Sequence, residues 1–255
     1  MIRTENIEGV PGGLILYDVL SHEECLYHIN RFESSVYQHV SVDGYDSSYR
    51  DNYRTIIDDK ELATLVFDRI NIYIDDTLNI NLKNYKEQGI TLNSPNDCGV
   101  WKMSNINDHI RYCKYLPGGH FAPHYDAFYC QDETHRSFKT VMIYLNDNFE
   151  GGTTRFLSGT NQVLHSIKPR SGMALIFNHT TNHDGEKVSN GNKYMFRTDL
   201  MFEQILKYDL DDALKNAQIE WEKGKREENL GNAENAVKHY SKAEKLFPTF
   251  FDHFF

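Results

Sequence analysis

The chain has no basic run, few cysteines and no long apolar segment, and each shortage removes a class of protein. Lys and Arg number 27 against 37 Asp and Glu, for a formal charge of −10. Binding a polyanion needs a basic footprint, so no nucleic-acid partner is expected. No stretch approaches the roughly 20 apolar residues of a membrane-spanning helix, so no membrane partner is expected either. The first thirteen residues, MIRTENIEGVPGG, lack the apolar region of a secretory signal. The four cysteines, Cys25, Cys98, Cys113 and Cys130, include no Cys-x-x-Cys pair. A chain long enough to bury a substantial core does not need disulfide staples, so they are expected as reduced thiols. These absences together favour the cytoplasm, or the nucleus.

What is present is an ordinary globular composition, 40% hydrophobic and 25% charged over 255 residues, with 16 Tyr and 15 Phe. That length holds one good-sized domain with an appendage, or two small ones. Gly13–Asp18 reads as a short strand. Ser21 followed by Glu24 is a capping box, with Leu26, Ile29 and Phe32 at helical spacing behind it. Residues 52–57 read as loop or edge strand. Asp58 or Asp59 can cap a second helix whose apolar positions are Leu62, Leu65, Ile70 and Ile74. From about residue 100 the texture becomes β-rich: 111–116, 140–145, 153–157, 163–167, 173–177 and 193–202 are separated by Gly, Pro, Asn and Asp clusters, as in a sandwich or barrel. After Gln204 the pattern is helical and charged. Ala217, Gly224, Gly231, Ala236, Tyr240, Ala243 and Pro248 stand where a tetratricopeptide repeat places its small residues, its aromatic and its closing proline. A single hairpin of this type cannot bury its own apolar face and must dock on its own chain or on a protein partner. Leu230, Ala236, Tyr240, Ala243 and Leu246 are the expected face. The division expected is a domain over 1–205, with helical support in 1–100 and a β-core in 101–205, followed by a helical segment over 206–255.

The chemistry concentrates at YLPGGHFAPHYD, residues 115–126. His124 and Asp126 are two apart, so one short strand would aim both at one ion. Downstream lie His183 and, ten residues later, Lys193. A His-x-Asp pair with a distant His is the ligand set that holds non-haem Fe(II) and leaves positions open. With 12 His in the chain, a lone His-x-Asp carries little weight, and its surroundings decide. His120, His165 and His179 do not fit ligand positions and read as structural.

Three stretches, RYCKYLPGGHFAPHYD, RSFKTVMIYLNDNFEGGTTRF and PRSGMALIFNHTTNHDGEKVSNGNKYMFRTDLMF, together resemble the iron(II)- and 2-oxoglutarate-dependent dioxygenase superfamily in its prolyl 4-hydroxylase-like branch. The resemblance spans roughly residues 13–202. It implies an α+β chain, mostly β with flanking helices. The implied core is a double-stranded β-helix of the jelly-roll or cupin kind, buttressed by the N-terminal helices, with the C-terminal hairpin added. It assigns His124, Asp126 and His183 to iron and catalysis, and Lys193 to the distal carboxylate of 2-oxoglutarate. Tyr144, Tyr115 and Thr140 become further cosubstrate contacts. The implied cofactors are Fe(II), 2-oxoglutarate and O2, with ascorbate as reductant, and the implied reaction is hydroxylation of a C–H bond with release of succinate and CO2. A prolyl residue in a protein or peptide is the expected substrate. The alternatives are the same chemistry on another side chain or a small metabolite, and a non-catalytic module that recruits partners through its tail. Lys193 rather than Arg197 is expected to meet the cosubstrate, because Arg197 has Asp199 two residues on along the same strand face.

Overall fold

The computed structural model describes residues 2–209 and 211–254. Helix α1, His22–Glu33, starts on the expected capping box: the Glu24 N–H donates to Ser21 Oγ at 3.1 Å and the Ser21 N–H to the Glu24 carboxylate at 2.8 Å. Helix α2, Lys60–Ile70, is capped by Asp59, which accepts from the Leu62 N–H. Its buried face is Leu62, Ala63, Val66 and Ile70. Leu65 falls off that face and is exposed, and Ile74 lies beyond the helix end. The helices are tied together by a two-pronged Arg69–Glu24 pair, both contacts 2.8 Å, and by an Arg31–Asp59 ion pair. The Arg69 guanidinium holds the Glu24 carboxyl down at about 2.

The core is antiparallel and two-layered. The large sheet runs in the order Arg3–Asn6, Leu14–Tyr17, Ala174–Asn178, His135–Tyr144, Lys193–Lys207, His109–Tyr115, Tyr53–Asp58 and Gln38–His39. The small sheet runs Val163–Ile167, Thr154–Leu157, His183–Gly185, His120–His124 and Arg50–Asp51. Side chains alternate across the large sheet, as the pleat requires. On the strand 109–115, Tyr112 points outward onto α1, where its hydroxyl meets His28 Nδ1 at 2.9 Å and its ring lies 6.5 Å from Phe32. Cys113 and Tyr115 belong to the interior, in one cluster with Met142, Tyr144, Phe177 and Met195 of the same sheet and Phe156 of the other. This is the double-stranded β-helix arrangement with helical buttress expected from the sequence, and residues 53–58 are a paired strand rather than a loop.

Two compact units divide the chain: Met1–Asp76 with Met103–Glu203, and Thr77–Lys102 with Gln204–Phe255. The second contains helices α3, Asp212–Asn229, and α4, Ala233–Leu246, packed on each other, then the short α5, Phe250–Phe254. Ala217 and Gly224 of α3 are buried with Ala236 and Ala243 of α4. A methyl group on Gly224 would strike the Tyr240 ring, so the small residue there lets the helices close. Leu230, expected on the hidden face, is 65% exposed, because it caps α3 at the turn instead of lying along the contact. The rest of the unit comes from residues 77–102, which the sequence pattern placed with the N-terminal support. Tyr85 Oη meets His253 Nδ1 at 3.2 Å, and Tyr208 Oη donates to Asn79 Oδ1 at 2.7 Å.

Two outcomes follow. Gly172 has φ +77° and a Cβ there would collide with the Leu20 carbonyl oxygen. Its own carbonyl accepts from the N–H groups of Val19 and Leu20 at 2.9 and 3.2 Å. Gly172→Ala should therefore lose about 2 kcal/mol or more in urea unfolding, through both clash and left-handed backbone strain. Removing residues 212–255 should lower the melting temperature, because Tyr85 and its neighbours lose their cover. An unchanged melting temperature would show that the tail contributes nothing to the stability of the rest.

Candidate functional site

Two short strands of the small sheet pair so that His183 lies directly opposite His124. The register alone brings two histidines separated by nearly sixty residues to a ring separation of 4.2 Å. Each ring is oriented in the same way. His124 Nδ1 is 2.8 Å from the Ala122 carbonyl and His183 Nδ1 is 2.9 Å from the Thr181 carbonyl. An Nδ1–H donating to the backbone leaves Nε2 as the lone-pair atom, the tautomer a metal ligand needs. Both Nε2 atoms face one carboxylate: His124 Nε2 is 3.8 Å from Asp126 Oδ1 and His183 Nε2 is 3.7 Å from Asp126 Oδ2. One ligand atom from each of the three residues lies within 4.8 Å of the others, which can hold a metal ion. Burial, reinforced by His183, lowers the His124 imidazole to about 4, so it is neutral at physiological pH.

Asp126 is not on the strand. The strand ends at His124, and Asp126 is placed two residues later by its N–H, which donates to the His179 carbonyl at 3.1 Å. Its carboxylate accepts from Thr140 Oγ1 at 2.6 Å and pairs with Arg197 Nη2 at 3.2 Å. Burial by itself would raise this carboxyl. The Arg197 guanidinium, the two imidazoles and the Thr140 hydroxyl outweigh burial and hold it well below the usual carboxylate range. Behind it runs a hydrogen-bonded chain that the sequence reading missed. Thr140 Oγ1 meets His179 Nδ1 at 3.0 Å, His179 Nε2 meets Ser137 Oγ at 2.8 Å, and Ser137 Oγ accepts from the Tyr129 N–H at 2.7 Å. Each member has a partner, so the buried network costs little. His179 is thus the satisfied histidine expected of it. Thr140, expected against the cosubstrate, serves Asp126 instead.

Lys193 opens the long strand 193–207, opposite Tyr115, and is 3% exposed. Its ammonium donates to the Gly152 carbonyl at 2.7 Å and sits 5.3 and 5.4 Å from the rings of Tyr144 and Tyr115. The Tyr144 hydroxyl is engaged with Thr154 Oγ1 at 2.7 Å. Among the described residues no carboxylate pairs with Lys193. Arg197 pairs with Asp199 at 3.2 Å as expected, and its contact with Asp126 adds a role the sequence reading did not assign. A cavity of about 330 Å³ joins these groups: His124, Asp126, His183, Lys193, Tyr115 and Arg197 all line it.

Residues 110–198 match the model of the 2OG-Fe(II) oxygenase superfamily. That segment contains the His124, Asp126 and His183 cluster together with Lys193, Arg197 and Thr140, and it is similar to the 2OG-Fe(II) oxygenase superfamily. A "Putative prolyl 4-hydroxylase" of Acanthamoeba polyphaga mimivirus is 28% identical, over 45% of this chain and 57% of that protein. The chain therefore spans somewhat more than half the length of that curated relative. Among solved structures, a Trichoplax adhaerens prolyl hydroxylase in complex with a hypoxia inducible factor peptide fragment aligns with TM-score 0.51 and 18% identity, covering 74% of this chain and 83% of its own. The viral collagen prolyl hydroxylase of Paramecium Bursaria Chlorella virus-1 aligns with TM-score 0.45 and 21% identity, over 75% of this chain and 96% of that one. At 18% identity the likeness to the Trichoplax structure is one of fold.

The burial of Lys193 has a cost in stability. Burial pushes the Lys193 ammonium from 10.5 down to about 8. The charged form is the disfavoured one, so the penalty is full below about pH 8 and fades as pH rises toward 10.5, where the unfolded chain also loses its proton. In the protein without cosubstrate, Lys193→Met should be more stable than wild type at pH 7, by roughly 1–3 kcal/mol. The gap should close above pH 10. Urea unfolding at the two pH values checks both the sign and the window.

Proposed function

We propose that this protein is a non-haem Fe(II)- and 2-oxoglutarate-dependent dioxygenase that hydroxylates a C–H bond, with a prolyl residue of a protein or peptide as substrate. The observation that carries the chemistry is the convergence of His124 Nε2, His183 Nε2 and the Asp126 carboxylate beside a buried, carboxylate-free lysine in one cavity. Three protein ligands on one side of an ion leave its other positions for a chelating cosubstrate and oxygen. Iron bound there supplies the redox chemistry, with 2-oxoglutarate consumed to succinate and CO2 and ascorbate as the reductant that maintains Fe(II).

The chain does the rest. His124, His183 and the Asp126 carboxylate would hold the divalent cation. Thr140 and Arg197 keep the carboxylate ionised and aimed. Lys193 provides the charge-assisted partner for the far carboxylate of the cosubstrate, at the end of the cavity flanked by Tyr115 and Tyr144. A dicarboxylate entering this slot exchanges water for a buried ammonium, which is favourable only because that ammonium has no competing carboxylate. The peptide reading is supported by the mouth, where Tyr49, Tyr125, Phe128 and Tyr129 line the cavity and remain at least 37% exposed. Flat aromatic surfaces at an open rim suit an extended chain better than a small polar metabolite. The mimivirus relative and the peptide-bound Trichoplax hydroxylase carry names consistent with this reading.

The test separates metal, cosubstrate and positioning. Asp126→Ala should lose tight Fe(II) binding by titration and form no succinate; undiminished metal affinity would remove the assignment. Lys193→Ala should keep the metal and raise the Michaelis constant for 2-oxoglutarate roughly tenfold or more, equivalent to about 1.4 kcal/mol. Arg197→Ala should weaken metal affinity first, since it frees the Asp126 carboxylate.

A further inference from the structure

Five cations line the cavity, and their counter-charges are unequal. Arg54 pairs with Asp43 at 2.6 Å, Arg111 with Asp199 at 3.2 Å, and Arg197 with Asp126 and Asp199 at 3.2 Å each. Lys193 is the fourth, reserved for the cosubstrate under the proposal above. The fifth is Arg50, and among the described residues no carboxylate pairs with it.

Arg50 is a buried residue, 8% exposed. Its Nε donates to Asn52 Oδ1 at 2.7 Å, its Nη2 reaches Cys113 Sγ at 3.8 Å, and the Tyr115 hydroxyl also hydrogen-bonds the guanidinium, so its partners are an amide, a thiol and a phenol. Its guanidinium lies over the Phe121 ring at 4.3 Å and over the Tyr45 ring at 5.4 Å. The other face of Phe121 stacks on the His124 ring, with centroids 3.6 Å apart. Arg50 is therefore separated from His124 by the thickness of one aromatic ring. Strand pairing holds it there, because Arg50 lies opposite Phe121 where the strand 50–51 adds to the edge of 120–124. A guanidinium this buried is ordinarily matched by a carboxylate, since neutral acceptors return only part of its lost hydration. Weak neutral partners and two ring faces hold this one in place without neutralising it.

We propose that Arg50 is a substrate-selecting residue that takes a carboxylate of the substrate, placed next to the carbon that reacts. This rests on the oxygenase reading of the same cavity and deepens it: the substrate is acidic close to its hydroxylation point. A planar guanidinium whose Nη groups lack a strong acceptor matches a carboxylate fork. The carboxylate can come from an acidic side chain flanking the target residue in a peptide, or from the α-carboxylate of a free amino acid.

Binding, measured without turnover, tests this on the full chain loaded with Mn(II) and 2-oxoglutarate under nitrogen. The probes are two fluorescein-labelled peptide pools, proline-centred and amide-capped, with Glu or Gln at the flanking positions, and N-acetylproline with its amide as the free-acid arm. The expected result is at least tenfold tighter binding of the Glu pool than of the Gln pool. Arg50→Gln should bring the Glu pool down to the Gln level, and Arg50→Lys should retain part of the preference. Should Arg50→Gln fail to fold, loss of most of the preference in Arg50→Lys carries the same meaning, because a point charge cannot offer the fork. A preference for N-acetylproline over its amide, with none between the pools, assigns the site to a free α-carboxylate and supports the proposal in that form. Equal binding of every acid and its neutral partner overturns it. So does a tenfold loss of 2-oxoglutarate affinity in Arg50→Gln, which would make Arg50 a cosubstrate residue. Absence of succinate formation by the Fe(II)-loaded wild type would instead overturn the oxygenase reading, independently of the binding result.

Discussion

Everything at the centre of this molecule depends on keeping one carboxylate, that of Asp126, ionised inside a buried cavity. An isolated buried carboxylate would take up a proton, because its charged form loses its hydration. Here Arg197 and Thr140 of the large sheet meet it from one side, and His124 and His183 of the small sheet from the other. The compensation comes from the large sheet, through Arg197 and Thr140, and a shift of that sheet would leave the carboxylate without it. Asp199 extends the same balance, accepting from both Arg197 and Arg111. The result is a preformed anion with the Nε2 atoms of two histidines facing it, the donor set a divalent ion takes from protein ligands.

Against this settled charge stands an unsettled one. Lys193 and Arg50 are buried cations with only neutral partners, at different places in one cavity. Burial of the Lys193 ammonium lowers the stability of the protein without its ligands, and that loss is regained when an anion arrives. Binding sites that carry such a cost commonly recover it in selectivity, since a neutral ligand leaves the charge unpaired. Aromatic rings lie against both cations, Phe121 and Tyr45 beside Arg50 and Tyr115 and Tyr144 beside Lys193, and this strengthens the distinction between charged and neutral ligands.

Where local chemistry decides, the sequence was legible. The Ser21–Glu24 box, the Asp59 cap, the strands 163–167 and 193 onward, and the pairing of α3 with α4 all rest on residues close in the chain. Thr140 and Arg197 were legible only by half. Their strands were recognised and their inward faces follow from the pleat, but nothing local says which inward group lies next to which. Thr140 could have touched a cosubstrate or a carboxylate, and the strand pairing of 135–144 with 193–207 decides for Asp126. Residues 77–102 group with Tyr208 and His253 from the far end of the chain, a proximity that no local pattern in the sequence records.

The sequence by itself determined the residue types that can hold a metal, the His-x-Asp spacing, the cation ten residues beyond the last histidine, and the β-rich pattern that supplies two faces. It did so because those features need only periodicity and side-chain chemistry. The tertiary structure alone decided that His183 stands opposite His124 and that Asp126 lies past the strand end under Arg197. It alone decided that Arg50 is buried one ring away from the triad, with no carboxylate paired to it among the described residues. These depend on the register between strands far apart in sequence, and register is set by the packing of whole sheets rather than by any residue's own preference.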